Sequence, residues 1–159
     1  MTLQIRRIVT GHDADGRAIV AIDDISQNAP NRRPGTEATL VWTTEGFPVD
    51  NSGSEDGGRR EVGSTVPNGT VFRVVSYGPG CAPRNHRTDS IDYGVVISGE
   101  IDMDLDGGVS VHLRAGDVLV QRGTIHNWVN NGTDPCVIAF VLIAAEPAEI
   151  AGQVLHATG

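Results

Sequence analysis

The chain contains no lysine; all twelve of its basic side chains are arginine. That absence excludes chemistry through a lysine Schiff base, pyridoxal phosphate enzymes included, and removes lysine as a general base. Basic charge is scarce altogether, since twelve arginines stand against twenty carboxylates and leave a formal net charge of −8. Phosphate backbones and anionic lipid surfaces both select for a basic stripe, so neither general nucleic-acid binding nor membrane-surface binding is expected. Long apolar runs are missing too: the longest, Cys136 to Ala145, falls far short of the ~20 residues that span a bilayer. No basic segment followed by an apolar stretch opens the sequence, and the expected location is cytoplasmic. Cysteine is limited to Cys81 and Cys136, which form no CxxC pair. They are expected to be free thiols, Cys81 as a small buried hydrophobe rather than a reactive group.

What is present is ordinary for a globular protein, with 39% hydrophobic and 20% charged residues. A chain of 159 residues can bury its own core without disulfides, and a single domain over 1–159 is expected. Residues 3 to 22 read as a hairpin whose turn runs through Asp13-Ala-Asp15-Gly16. This string lacks the later ligands of a calcium loop and is read as turn chemistry. Ala38 to Thr43 reads as a strand, whereas residues 46 to 69 have almost no apolar period and are expected to form a long mobile loop, long enough for a lid. From Thr70 onward short strands follow quickly: Val71 to Tyr77, Glu100 to Asp106 and Val109 to Arg114, divided by glycine turns. His112 falls on the polar phase of its strand and is expected to be exposed. The sequons at Asn68 and Asn131 read as turns. After Pro147 a short tail is expected to make a helix turn. Many short strands without a long helical pattern argue an all-β sandwich or barrel.

Two clusters carry the chemistry. The first runs Gly80-Cys-Ala-Pro-Arg-Asn-His86-Arg-Thr88-Asp-Ser-Ile-Asp92 on to Gly99, and the second Gly116-Asp-Val-Leu-Val-Gln-Arg122-Gly123-Thr-Ile-His126-Asn-Trp128-Val-Asn130. Side chains alternate faces along a strand, so 86, 88, 90 and 92 share one face, as do 124, 126, 128 and 130. If the strands are neighbours, two imidazoles and a carboxylate meet in one cavity.

On these residues the chain resembles the cupin superfamily over roughly residues 70 to 145. Its first motif, glycine, five residues, His-x-His, three or four residues, Glu, six residues, glycine, fits from Gly80 to Gly99. His86 takes the first histidine, Thr88 the second and Asp92 the glutamate. In the second motif Gly123, His126 and Asn130 match, with one residue deleted and Arg122 in the place of a proline. The resemblance implies a double-stranded β-helix, or jelly-roll barrel, with an N-terminal hairpin extension. Residues 1–69 then form the N-terminal strands and long loop, 70–145 the barrel motifs and 146–159 the tail.

By the same resemblance His86, Asp92 and His126 would bind a divalent metal (iron, manganese, nickel or zinc) and form the catalytic group. Two imidazoles with one carboxylate suit non-haem iron and leave positions open. Thr88 is a poor ligand and is assigned to the substrate side with Trp128, Arg122, Phe72 and Tyr77. Of Arg84, Arg87 and Arg122, Arg122 has the best case for entering the pocket. Tyr93 faces away from Asp92 and is expected to pack between sheets. Three readings stay open. One is a metal-dependent enzyme acting on a small, partly apolar or aromatic molecule, of oxygenase, decarboxylase, isomerase or lyase type. Another is a metal-free site in which a histidine held by Asp92 acts as general base. The third is a non-enzymatic ligand-binding cupin with a degenerate metal site. The partners implied are a small molecule and a second copy of the chain in a homodimer.

Overall fold

Alternating apolar and polar residues make strands almost throughout. The computed structural model describes residues 3–29 and 33–159, and among these it holds twelve β-strands, one 3-10 turn at Gly57–Arg59 and no α-helix. β1 (Arg6–His12) and β2 (Ala18–Ile25) form an antiparallel hairpin that is a sheet of its own. The Asp13 carboxylate accepts from the backbone N–H of Asp15 and Arg17, both at 2.9 Å, so the Asp-x-Asp-Gly string is turn chemistry as expected.

The body consists of two antiparallel sheets. The strands β3 (Thr36–Glu45), β4 (Gly69–Tyr77), β5 (Ser90–Ser98), β6 (Glu100–Leu105), β7 (Ser110–Arg114), β8 (Val118–Arg122), β9 (His126–Val129) and β10 (Cys136–Ala144) supply them. One sheet has the order β3-β4-β10-β5-β8 and the other β7-β6-β9. The core lies between them: Val75, Val96 and Ile138 from the first sheet meet Ile101, Met103 and Leu113 from the second. Trp128 of β9 packs against Tyr77 at a tilt and against Phe140 edge to face, with ring centroids 5.7 Å apart in each case. This is the all-β double-stranded β-helix with an N-terminal hairpin.

Three local expectations change. The segment from 46 to 69 is not a free lid, because it is pinned at its middle. Arg7, 5% exposed, grips the Asp56 carboxylate with both terminal nitrogens at 2.6 Å and the Asp24 carboxylate at 2.8 and 3.1 Å. Gly57 and Gly58 permit this closeness. A Cβ on Gly58 would strike Arg7 and the Val41 carbonyl, and one on Gly57 would meet the Trp42 ring at 2.9 Å. The tail after Pro147 is not a helix turn but a hairpin of β11 (Ala148–Ile150) and β12 (Gln153–Leu155). Its two turn residues, Ala151 and Gly152, have φ of 51° and 76°, the left-handed pair that matches strand twist and that helix propensity does not foresee. Tyr93 does face away from Asp92, yet it is 48% exposed on the outer face instead of being packed between sheets.

Candidate functional site

Strand parity decides which side chains meet. On the inner face of the large sheet, Leu142 of β10 sits opposite Asp92 of β5, and Asp92 sits opposite Gln121 of β8. Phe140 is opposite Arg73 and Ile138 opposite Val75. A backbone bridge pairs His86 with His126, joined by hydrogen bonds of 3.1 and 3.0 Å, and brings the two clusters side by side. Between the sheets opens a cavity of about 640 Å³. His86, Thr88, Asp92, Gln121 and His126 form its polar floor, with Tyr77, Trp128, Phe140 and Leu142 beside them.

The floor is one hydrogen-bonded chain. Ser90 Oγ lies 2.6 Å from Asp92 Oδ1 and 2.9 Å from Thr88 Oγ1. A hydroxyl carries one proton, so Ser90 donates to the carboxylate and accepts from Thr88. Gln121 Nε2 donates to Asp92 Oδ2 and to His126 Nε2, at 3.1 Å in both cases. The Nδ1 of His126 lies 3.0 Å from the Thr124 carbonyl and that of His86 3.1 Å from the Arg84 carbonyl. A carbonyl only accepts, so each Nδ1 carries the proton and each neutral ring keeps its lone pair on Nε2. The two imidazoles lie 4.2 Å apart between centroids, with their planes tilted by 52°.

Burial sets the protonation states. It pushes the His86 imidazole down to about 4, helped by the neighbouring His126, and lowers His126 as well. Both rings are therefore neutral near pH 7. Burial raises the Asp92 carboxyl, opposed by the bonds from Ser90 and Gln121, and it pushes the Tyr77 hydroxyl well above its ordinary range, keeping it protonated.

His86, Asp92, His126, Thr88, Trp128 and Tyr77 are thus brought to one cavity. Arg122 is not, because it is exposed and paired with Ile91 on the far edge of the large sheet. Nor is Phe72. Arg73, Val75 and Tyr77 face the cavity, and alternation turns residue 72 to the other face. Among the described residues no three His, Cys, Asp or Glu side chains are gathered as a metal centre, because the Gln121 amide stands between Asp92 and His126. Gln121 was legible only in retrospect: it lies an even number of residues from Leu119, but nothing in the sequence marks that strand as Asp92's neighbour. Arg84 lines the cavity and Arg87 does not, while Arg33 and Arg73, which belong to neither motif, join it.

The donor chemistry fits a divalent metal. Gln121 is 4% exposed, and its Oε1 is buried with no hydrogen-bond partner among the described residues, a position open to a water, an ion or a ligand. The Nε2 lone pair of His86, that of His126 once Gln121 releases it, the Gln121 amide oxygen and the Asp92 carboxylate make a nitrogen and oxygen donor set in one cavity. The bonds from Nδ1 to backbone carbonyls orient the rings as outer partners of metal-bound histidines do.

Residues 73–143 match the family model described as Cupin domain. The cupin-domain-containing oxidoreductase fogC of Aspergillus ruber is 35% identical over 159 residues, covering 94% of this chain and 77% of the relative. Phomopsin biosynthesis cluster protein C′ of Diaporthe leptostromiformis is 38% identical over 162 residues, covering 94% and 83%. Among solved structures, KdgF from Halomonas sp. superposes with a TM-score of 0.50 at 18% identity, covering 74% of this chain and 88% of that one, a likeness of fold alone.

Proposed function

This chain belongs to the cupin family, and from that premise we propose that it binds a divalent metal in the barrel cavity and acts there on a small, partly apolar or aromatic organic molecule. The observation that carries this reading is the buried floor: two neutral imidazoles presenting Nε2 beside an amide oxygen that has no partner. His86, His126 and Asp92 would hold the metal, with Gln121 as a further oxygen donor or as the link that holds Asp92 in place. Thr88, where the family motif has its second histidine, would leave a coordination position for substrate. When bound, the metal would act as a Lewis acid or activate oxygen.

The chain's own groups have separate tasks. Trp128, Tyr77 and Phe140 offer an apolar wall that excludes water and lays a flat molecule against the floor. Ser90 and Gln121 each donate to one oxygen of Asp92, so the carboxylate would meet the metal in a fixed orientation. The relatives include proteins named as oxidoreductases and as members of biosynthesis clusters, which favours the oxygenase class over decarboxylase, isomerase or lyase chemistry. A specific observation keeps the ligand-binding alternative in view: the Gln121 amide occupies the space between Asp92 and His126, as a cupin that has given up its metal would permit. The outer face of the large sheet, with Tyr93, Val95, Val118 and Val120 exposed and in register, supports a homodimer that covers it.

Metal analysis of untagged protein reconstituted with iron, manganese, nickel or zinc tests the reading. Parent and Thr88→Ala proteins are expected to hold stoichiometric metal, and His86→Ala and His126→Ala to lose most of it. Equal and substoichiometric metal in all four would reject metal binding and leave the ligand-binding alternative.

A further inference from the structure

The ion pairs among the described residues draw on Arg6, Arg7, Arg17, Arg59, Arg60 and Arg114, never on Arg33 or Arg84. Yet Arg33 and Arg84 both line the cavity of a protein whose net charge is −8. Both are half-buried. Arg33 directs Nε and Nη2 at the Thr36 hydroxyl, at 3.3 and 3.2 Å. Arg84 donates Nη2 to the backbone oxygen of Gly159 at 2.9 Å, and its backbone N–H is fixed by Asn127 Oδ1 at 2.7 Å. Among the described residues one hydroxyl and one backbone oxygen take up these forks, which leaves most of the ten guanidinium N–H donors to other partners. The carboxylates on the same cavity are Asp92, already bonded to Ser90 and Gln121, and Glu61, which is exposed at the rim.

Each arginine also feels the other. Burial and then the charge of Arg33 lower the Arg84 guanidinium, and both charges help to hold His86 neutral. Arg33 and Arg84 thus set two like charges beside one cavity that Arg73 also lines, and among the described residues neither of the two forms an ion pair with Asp92 or Glu61. A guanidinium fork matches a carboxylate in shape and charge, and such a pair gains strength where water is excluded.

We propose that the cavity takes an organic acid, whose carboxylate is held by Arg33 and Arg84 at the His86 end and whose apolar or aromatic body lies against Trp128 and Phe140. This rests on reading the cavity as the substrate site and names the substrate class. The acid group would sit beside the paired imidazoles, so the reacting carbon is one near the carboxylate.

Binding to chelator-treated protein tests it, since no metal can then mimic the clamp. Benzoate, phenylacetate and octanoate are titrated at constant ionic strength against benzamide, phenylacetamide and octanamide, with inorganic phosphate as a separate arm. At least one acid is expected to bind about tenfold or more tighter than its amide, and Arg33→Met and Arg84→Met should each abolish that preference. Should a methionine variant fail to fold, Arg33→Gln or Arg84→Gln takes its place, and the comparison of acid with amide in the parent stands regardless. Acids binding no better than amides, no acid binding at all, or phosphate binding as tightly as the best acid would overturn the proposal. Preference for acids in a protein that never takes up metal would keep this inference and remove metal binding, while a metal-loaded protein indifferent to the acid group would do the reverse.

Discussion

Replacing Arg7 by methionine removes the pin that holds the segment 46–69 as a strap at Asp56 and leaves two carboxylates facing a gap. The guanidinium is 5% exposed and makes four contacts of 2.6 to 3.1 Å to Asp24 and Asp56. Losing one partner of a buried ion pair costs roughly 3–5 kcal/mol, because the remaining charge stays desolvated. Here the Asp24 side chain keeps 38% and Asp56 17% of its exposure, so water can relieve part of the penalty. The low end applies, about 3 kcal/mol, which for a chain of this size lowers the melting temperature by roughly 6–12 °C. Denaturant titration and calorimetry at pH 7 measure it. Arg7→Lys keeps the charge but not the fork and should lose about half as much. Arg7→Met with Asp56→Leu should lose less than the sum of the two single changes, because only the more exposed Asp24 is then left without its partner. The pH dependence has a fixed sign. Arg7 lowers the Asp56 carboxyl, so this stabilisation is present above the unfolded pKa and fades as pH falls through the lower folded value. The gap between parent and Arg7→Met should therefore narrow below about pH 4. A variant melting within ~2 °C of the parent at pH 7 would refute the picture of a desolvated clamp.

Asp92→Asn keeps hydrogen-bonding capacity on the cavity floor, and metal-free protein should lose about 1 kcal/mol or less by denaturation; a loss several times larger would mean that the charge itself holds the floor together. The same variant should release bound metal, and mass spectrometry showing unchanged metal content would remove Asp92 from the ligand set. His112 is raised chiefly by its bond to Asp102 at 2.7 Å, so its contribution is full below the unfolded pKa and lost as pH rises through the folded one. His112→Gln should flatten the stability profile on the alkaline side of pH 6.5, and a profile parallel to that of the parent would contradict this. Trp128→Ala empties the space between Tyr77 and Phe140 and should cost about 3–5 kcal/mol, and a melting curve unmoved by it would deny Trp128 a core role. Val118→Glu with Val120→Glu should convert dimer to monomer in sedimentation, while a parent already monomeric at micromolar concentration would place the apolar sheet face in solvent.

Much of this was open to sequence reasoning because it rests on local rules. Period-two alternation identified the strands, and the parity of 86, 88, 90 and 92 identified one face before any partner strand was known. What stayed hidden needed the register between strands. Gln121 becomes the neighbour of Asp92 only when β5 pairs with β8, and Arg122, adjacent in sequence, turns to solvent for the same reason. Phe72 was lost to the parity that placed Tyr77. The strap escaped because its anchor, Arg7, lies 49 residues from Asp56, and no sequence period links them. Arg33 sits outside both motifs and reaches the cavity through the loop before β3.

The two tryptophans divide the molecule into separately observable parts. A β-bulge between Leu40 and Trp42 turns the Trp42 ring outward under Gly57, where it would sense the strap. Trp128 stands 6.1 Å from the His126 ring, inside the cavity. Protonated imidazole and paramagnetic ions both quench indole emission, so Trp128 should dim when the floor is charged or filled, while Trp42 keeps its brightness. With Trp42→Phe, the fluorescence of the protein becomes a private record of its cavity. With Trp128→Phe, it follows the strap instead. Occupancy and loosening can then be timed one against the other in the same solution, without any attached dye.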